Sequence, residues 1–318
     1  FTIFYIGINI GAFLSALIVG GVAEVYGWHY GFGLAGIGML IGQAVFMWGR
    51  QFLTGVGEAT VDLSPAEAEA KKRPLNAVEK DRMKVMMISF LLIVVFWGAF
   101  EQAGGLMNIY TAQKTDLSLS FSIPFIGDAI PASWFQSVNA FFIITLGAPI
   151  AGFWYKWKKK GKESSSIFKM ATGVIIMGWG FLFMTAASLE FEAEGSSAMY
   201  WLVLAYLFHT IGELCASPVA LSYITKLAPL KYASLMMGVY FAATGVGNKV
   251  AGWVGEYSRS AGDLEIFTGI AIFCTIIGLL VIALLKPLKR LAHGAEDSID
   301  DTHNEEAEGF ELADKPTI

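Results

Sequence analysis

The chain has 318 residues, of which 55% are hydrophobic and only 15% charged, with a mean hydropathy of +0.56. A soluble domain carries about 25% charged residues, so a water-soluble globular fold is excluded and a polytopic membrane protein is expected. The net charge of −5 says little as a total, since where the charges sit matters more, and the two cysteines, Cys215 and Cys274, lie in apolar runs and form neither a disulfide framework nor a metal spacing.

Eight apolar segments are long enough to cross a bilayer as helices: Thr2–Ala23, Tyr30–Gly49, Val85–Ala112, Ser133–Trp157, Phe168–Leu189, Met199–Thr225, Ala233–Tyr257 and Ile266–Leu285. The first two should be joined by a tight turn at Gly27. Gly7 and Gly11, and Gly38 and Gly42, have the spacing that lets helices approach closely. Residues 50–84 form a polar linker between this two-span part (1–49) and a six-span bundle (85–287). After it comes an acidic tail (288–318), with nine Asp and Glu beyond Leu291, expected to be disordered. The chain opens at Phe1 without Met, as a chain cut at its start would.

Lys and Arg set the expected orientation. Nineteen of the 22 lie in alternate loops and the tail; the exceptions are Lys114, Lys249 and Arg259. By the positive-inside rule the loops after spans two, four and six, and the C-terminus, are cytoplasmic. The expected location is the cell (inner or plasma) membrane, spanned several times.

The polar residues inside the spans are the candidates for function, because ionisable groups in hydrocarbon are costly and face a cavity or a partner. In span three, FWGAFEQAGGLMNIY places Glu101, Gly105, Asn108 and Ala112 on one helical face, a stripe suited to a lumen; packing of helices is the alternative. Asp116 lies just beyond, either as an outer-gate salt bridge or as a solvated loop acid. In span four, Gln136 and Asn139 share a face and offer amide donors and acceptors. In span six, Glu213 sits near the middle, with His209 and Ser217 one turn to either side and Pro218 expected to kink the helix. It reads as a substrate or proton site, the alternative being an acid that locks two helices. In span seven, Tyr240, Thr244 and Asn248 share a face, and Lys249 should snorkel. Span one adds Tyr5 and Asn9. The spans hold no interior Arg, so this part of a cavity is negative and neutral.

No nucleotide-binding loop, GxSxG or HExxH occurs, so an ATP motor and a hydrolase have no visible machinery. Deep acids and Gly- and Pro-interrupted helices fit a proton-driven secondary transporter.

FTIFYIGINIGAF, FWGAFEQAGG, WFQSVN, HTIGELCASPVALSY and MMGVYF together resemble helices five, seven, eight, ten and eleven of the proton-dependent oligopeptide transporter family, in order. The eight spans would then be helices five to twelve of an all-α, major facilitator-type bundle. Helices one to four, with the family's ExxER motif and the basic residues that meet the peptide carboxylate, would be absent, so this chain alone is not expected to transport. The resemblance implies symport of di- and tripeptides with protons by alternating access. Glu213 and Asn139 would face the peptide's amino end, Asn9 would contact the peptide, and Tyr240 would stand where the family often has Trp. Ser217 and Gln136 complete the expected site, with Glu101 and Asp116 in gating and proton coupling. No cofactor besides protons, no metal and no nucleic acid is expected, and the chain should act as a monomer in the lipid bilayer. The alternatives are transport of another small solute such as an amino acid or nitrate, and a membrane-embedded enzyme or receptor. A neutral or basic residue in place of Glu213 would favour an anion.

Overall fold

A computed structural model describes residues 2–54 and 73–296, with side chains from residue 7 onward. It is a helical bundle. Helix α1 (Thr2–Ser15) runs through a π-helical stretch, Ala16–Gly20, into α2 (Gly21–Tyr26). Gly27, at φ +112°, makes the expected turn into α3 (Trp28–Gly49). Then come α4 (Ala77–Phe100), α5 (Leu106–Lys114), the strands β1 (Ser118–Ile123) and β2 (Gly127–Ala129), and α6 (Phe135–Lys159). The chain continues with α7 (Ser166–Glu194), α8 (Tyr200–Leu227), α9 (Ala233–Ala261), α10 (Asp263–Ala283) and the short α11 (Leu285–Ala292).

Among the described residues, seven helices are long and apolar enough to cross a membrane. The eighth expected span, α9, has the length, at 29 residues, but Lys249, Glu256 and Arg259 lower its apolar content. It still packs as a full member of the bundle, along α4.

Three expectations need correction. The third span is not one helix: α4 ends at Phe100, residues 101–105 form turns, and α5 restarts at Leu106. Gly104 and Gly105 supply no side chain to hold the intervening turn in the helix. The expected stripe from Glu101 to Ala112 therefore does not exist as one face. At its other end the helix begins at Ala77, well before Val85. A capping box explains this: Asn76 Oδ1 accepts from Glu79 N and Glu79 Oε2 from Asn76 N, each at 2.8 Å. Residues 288–296, expected in the disordered tail, are ordered. Amphipathic α11 buries Leu288 and Ala292 against the start of α4, and Arg82 donates to the carbonyls of Ala292 and His293. The rest of the tail, and linker residues 55–72, lie outside the described residues.

Glycines do make close helix crossings, but not at the expected GxxxG pairs. Among the described residues, nothing lies within 4 Å of where a Cβ would stand on Gly7, Gly11, Gly38 or Gly42. The close contacts are in the six-helix part. Gly173 of α7 and Gly212 of α8 face each other so closely that a Cβ on either would lie 2.6 Å from the other's carbonyl oxygen. Between α7 and α10, Gly178 packs against Ala271 and Cys274, and Gly278 against Ala171 and Ile175; between α9 and α4, Gly247 packs against Val94 and Trp97. The core of Met177, Phe181, Met184, Leu202 and Phe267 fills the space between these crossings.

The β1–β2 hairpin lies between α5 and α6. Residues 117–123, LSLSFSI, alternate with the period of a strand, a signal that a division into helical spans does not use. This hairpin marks one end of the bundle. The lysine-rich turn at 160, between α6 and α7, marks the other.

Candidate functional site

The deepest polar cluster joins α6 and α8. Glu213, on α8, is only 8% exposed. Asn139, on the second turn of α6, donates its amide Nδ2 to Glu213 Oε2 (2.8 Å) and to Thr210 Oγ1 (3.1 Å). Thr210 in turn donates to Tyr206 O at 2.7 Å. The hydroxyl proton is thus directed along α8, and its lone pair faces Asn139, which fixes the amide with its nitrogen toward Glu213 and its carbonyl oxygen away. Among the described residues, Glu213 has no ion pair. It is a buried carboxylate with one neutral donor, the Asn139 amide, an arrangement that welcomes a cation and is expensive to leave without one.

Thr210 is not among the residues expected from the sequence, although its place one turn before Glu213 is a usable signal. His209, one turn before Glu213, turns toward α7 instead of joining the cluster. Its ring is buried against Gly180 and Phe181 of α7, with ring centroids 4.4 Å apart, and neither ring nitrogen has a hydrogen-bond partner among the described residues. It is part of the α7–α8 contact and makes no hydrogen bond to Glu213. Pro218 lies inside α8, which continues unbroken from Tyr200 to Leu227.

One turn beyond Glu213, Ser217 shares a narrow, mostly apolar cavity with Tyr240, Trp97, Phe96 and Leu92. Tyr240 is buried, as is Asn9 on α1, whose helix packs along α6. Gln136 is half-buried on the first turn of α6. Tyr5 has no described side chain.

Glu101 is half-buried at the end of α4, and lines a separate open cleft of about 1140 Å³ with Gly104, Gly105, Asn248, Glu256 and Arg259. Beside it the buried Gln102, which has no evident signal in the sequence, donates Nε2 to Gly98 O (3.1 Å) and Ala251 O (3.2 Å), tying the helix break to α9. Of the two settings expected for Asp116, the outer-gate salt bridge is not formed among the described residues. Asp116 Oδ1 accepts from the backbone N–H and the hydroxyl of Ser118, which hold its carboxyl below the usual range. At this end Lys114 pairs with Asp263, at 2.6 Å.

A bundle of membrane-length helices with a buried carboxylate between two of them that has no ion pair among the described residues, and with another helix broken at Glu101–Gly105, has the construction of a secondary transporter. Known proteins of similar sequence and fold agree. The sequence profile of the POT family matches residues 1–62 and 65–261, and the chain belongs to this family. It is 30% identical to the peptide transporter YePEPT of Yersinia enterocolitica, over 93% of this chain and 69% of that protein. It is 27% identical to a di-/tripeptide transporter of Lactococcus lactis, over 92% and 68%. Among solved structures it resembles the peptide transporter POT in complex with sulfate, at a TM-score of 0.79 and 27% identity over 92% of this chain and 68% of that one. A mutant form of that transporter in complex with alafosfalin superposes with a TM-score of 0.77, at 27% identity over 91% and 67%. The chain thus spans about two thirds of the length of these relatives. The protein is a membrane transporter of the POT family and not an enzyme.

Proposed function

We propose that the chain is the larger part of a proton-coupled symporter of di- and tripeptides that works by alternating access. The observation that carries this reading is Glu213: a buried acid with an amide donor on one side and no cationic partner among the described residues. Short peptides have in common an ammonium, a carboxylate and a backbone, whatever their side chains. A site that accepts many of them must grip those groups. The ammonium is the natural complement of Glu213, and the carbonyl oxygen of Asn139, turned away from Glu213, is a second acceptor for it. The names of the relatives, peptide transporters and di-/tripeptide transporters, support the same substrate class.

In this reading Asn9 and Gln136 contact the peptide backbone, and Ser217 and Tyr240 shape the space for a side chain. Glu101 works in proton coupling at the α4–α5 break. Asp116 is left out of the gate, because Ser118 occupies it. The lysine-rich turn at 160 and the C-terminus face the cytoplasm, and the β1–β2 hairpin faces outward, as the positive-inside rule requires.

The test is transport in proteoliposomes by the full-length transporter, with the first four helices that the family fold requires. With an inward proton gradient, labelled dialanine should accumulate above its external concentration, and an uncoupler should abolish accumulation while leaving peptide exchange. Accumulation that ignores the gradient would remove proton coupling; no uptake of any di- or tripeptide would remove the substrate class.

A further inference from the structure

At the hairpin end, residues 17–26 of the two-span part meet residues 125–134 of the six-span part through a set of contacts with no counterpart in the polar residues of the spans. Glu24, on α2, accepts two backbone N–H groups with its two oxygens: Ala132 N at 2.8 Å and Ser133 N at 2.7 Å. Both donors belong to the 3₁₀ turn, Ala132–Trp134, that leads into α6. The first N–H groups of a helix have no partner within it, and their positive end favours a carboxylate. Here the carboxylate that satisfies them comes from the other part of the molecule, more than a hundred residues away in sequence.

The neighbouring contacts are built for the same closeness. Trp134 donates its indole Nε1 to Leu17 O at 2.9 Å. Leu17 lies in the π-helical stretch Ala16–Gly20, where its carbonyl also accepts from the backbone N–H of Gly21; such stretches concentrate at functional places. A Cβ on Gly20 would lie 2.5 Å from Ser133 Oγ, and one on Gly21 2.8 Å from Trp134 Nε1. Any larger residue would hold the two segments apart. Tyr26 closes the row by donating its hydroxyl to Phe125 O, in the hairpin turn, at 2.8 Å.

We propose that Glu24, with Trp134 beside it, is an outer latch between the two parts of the transporter: a positioning residue that holds the hairpin end shut while the site around Glu213 is open to the other side. The proposal rests on the alternating-access reading above. In that cycle one part rocks against the other around a fixed site, and opening outward must part residues 17–26 from 125–134. Glu24 then loses two charge-assisted hydrogen bonds and the α6 N-terminus loses its cap, both of which water can replace. The latch therefore sets the balance between the two states and does not touch the substrate.

The experiment is a distance measurement by electron double resonance between spin labels at His29→Cys and Asp128→Cys, both exposed and on opposite sides of the seam. Cys215 and Cys274 are buried, which keeps background labelling low. No substrate is needed, so the result stands whether or not peptides prove to be the cargo. Glu24→Ala should raise the ratio of long to short distances at least about tenfold, as expected for the loss of charged hydrogen bonds. Trp134→Phe removes one neutral donor from the same seam and should shift the ratio in the same direction by less. Distances unchanged or shortened in both variants would overturn the latch. If Glu24→Ala does not yield folded protein, Trp134→Phe decides alone: an unchanged distribution overturns the proposal.

Discussion

Asn139 on α6 donates its amide nitrogen to Glu213 on α8 across 2.8 Å, and this bond orients the only neutral acceptor that the pair leaves for a ligand. Replacing Asn139 separates the possible roles of the amide. Asn139→Ala leaves Glu213 without its donor and should weaken peptide binding by about the 1.5–3 kcal/mol of a charged hydrogen bond. Asn139→Asp sets a second carboxylate beside the first, so that the two cannot both be ionised cheaply; it should bind peptides no better than the Ala variant at neutral pH. Titration calorimetry with dialanine measures both. Wild-type affinity in Asn139→Asp would mean that the amide has no part in the site.

The glycine crossing of α7 and α8 gives a stability prediction with its own control. A Cβ on Gly173 would lie 2.6 Å from Gly212 O, and backbone cannot move aside as a side-chain tip can. Gly173→Ala should cost about 1–3 kcal/mol, the usual penalty of overpacking. Gly38→Ala, where the built Cβ meets nothing within 4 Å, should leave the melting temperature in detergent unchanged. Equal effects at both positions would refute the crossing.

Periodicity and cost are what the sequence makes legible. Hydrophobic runs of about 20 residues mark the spans, and the expense of a carboxylate in hydrocarbon singles out Glu213 without any knowledge of its partner Asn139. What stays hidden depends on neighbours. GxxxG spacing points to Gly7, Gly11, Gly38 and Gly42, because spacing alone cannot say which helix face meets a partner. The working glycines, Gly173 and Gly212, are identifiable only once α7 and α8 are side by side. The break at Glu101–Gly105 is masked by apolar residues on both sides. Glu24 looks like the end of a span, because its partners are backbone N–H groups, which carry no sequence signature.

The end of the bundle at the lysine-rich turn offers a pH-dependent contact. Partial burial alone would raise the Glu163 carboxyl. The bond from Lys289 Nζ (2.9 Å) and the backbone N–H of Ser165 (2.9 Å) more than offset it, and hold it at about 2 instead of 4.5. A depressed carboxyl contributes stability above its unfolded value and loses it as pH falls toward the folded one. Lys289→Ala should therefore lower stability at neutral pH by about 0.2–1 kcal/mol, the range of exposed ion pairs. The difference from wild type should shrink as pH falls from 4.5 toward 2. Thermal melts of both proteins across that range check it; a difference that grows with acid would contradict the assignment.

Orientation is tested by labelling. Lys160→Cys, in the turn between α6 and α7, and Glu192→Cys, near the end of α7, are both exposed and at opposite ends of one helix. In intact cells a membrane-impermeant maleimide should label position 192 and spare 160. The reverse pattern would invert the topology and with it the placing of Glu24 at the outer end.

The central claim, that Glu213 receives the amino end of a peptide, is tested most directly by comparing two ligands on two proteins. Glu213→Gln keeps the shape of the side chain and removes its charge. Dialanine and N-acetyl-dialanine differ in the same way at the other side of the contact. The measurement is the dissociation constant of each peptide with wild type and with Glu213→Gln, by calorimetry at neutral pH. The account predicts that the substitution weakens dialanine by about 1.5–3 kcal/mol, and N-acetyl-dialanine, already without its ammonium, by much less. An equal loss for both peptides would contradict it and leave Glu213 a structural tie between α6 and α8.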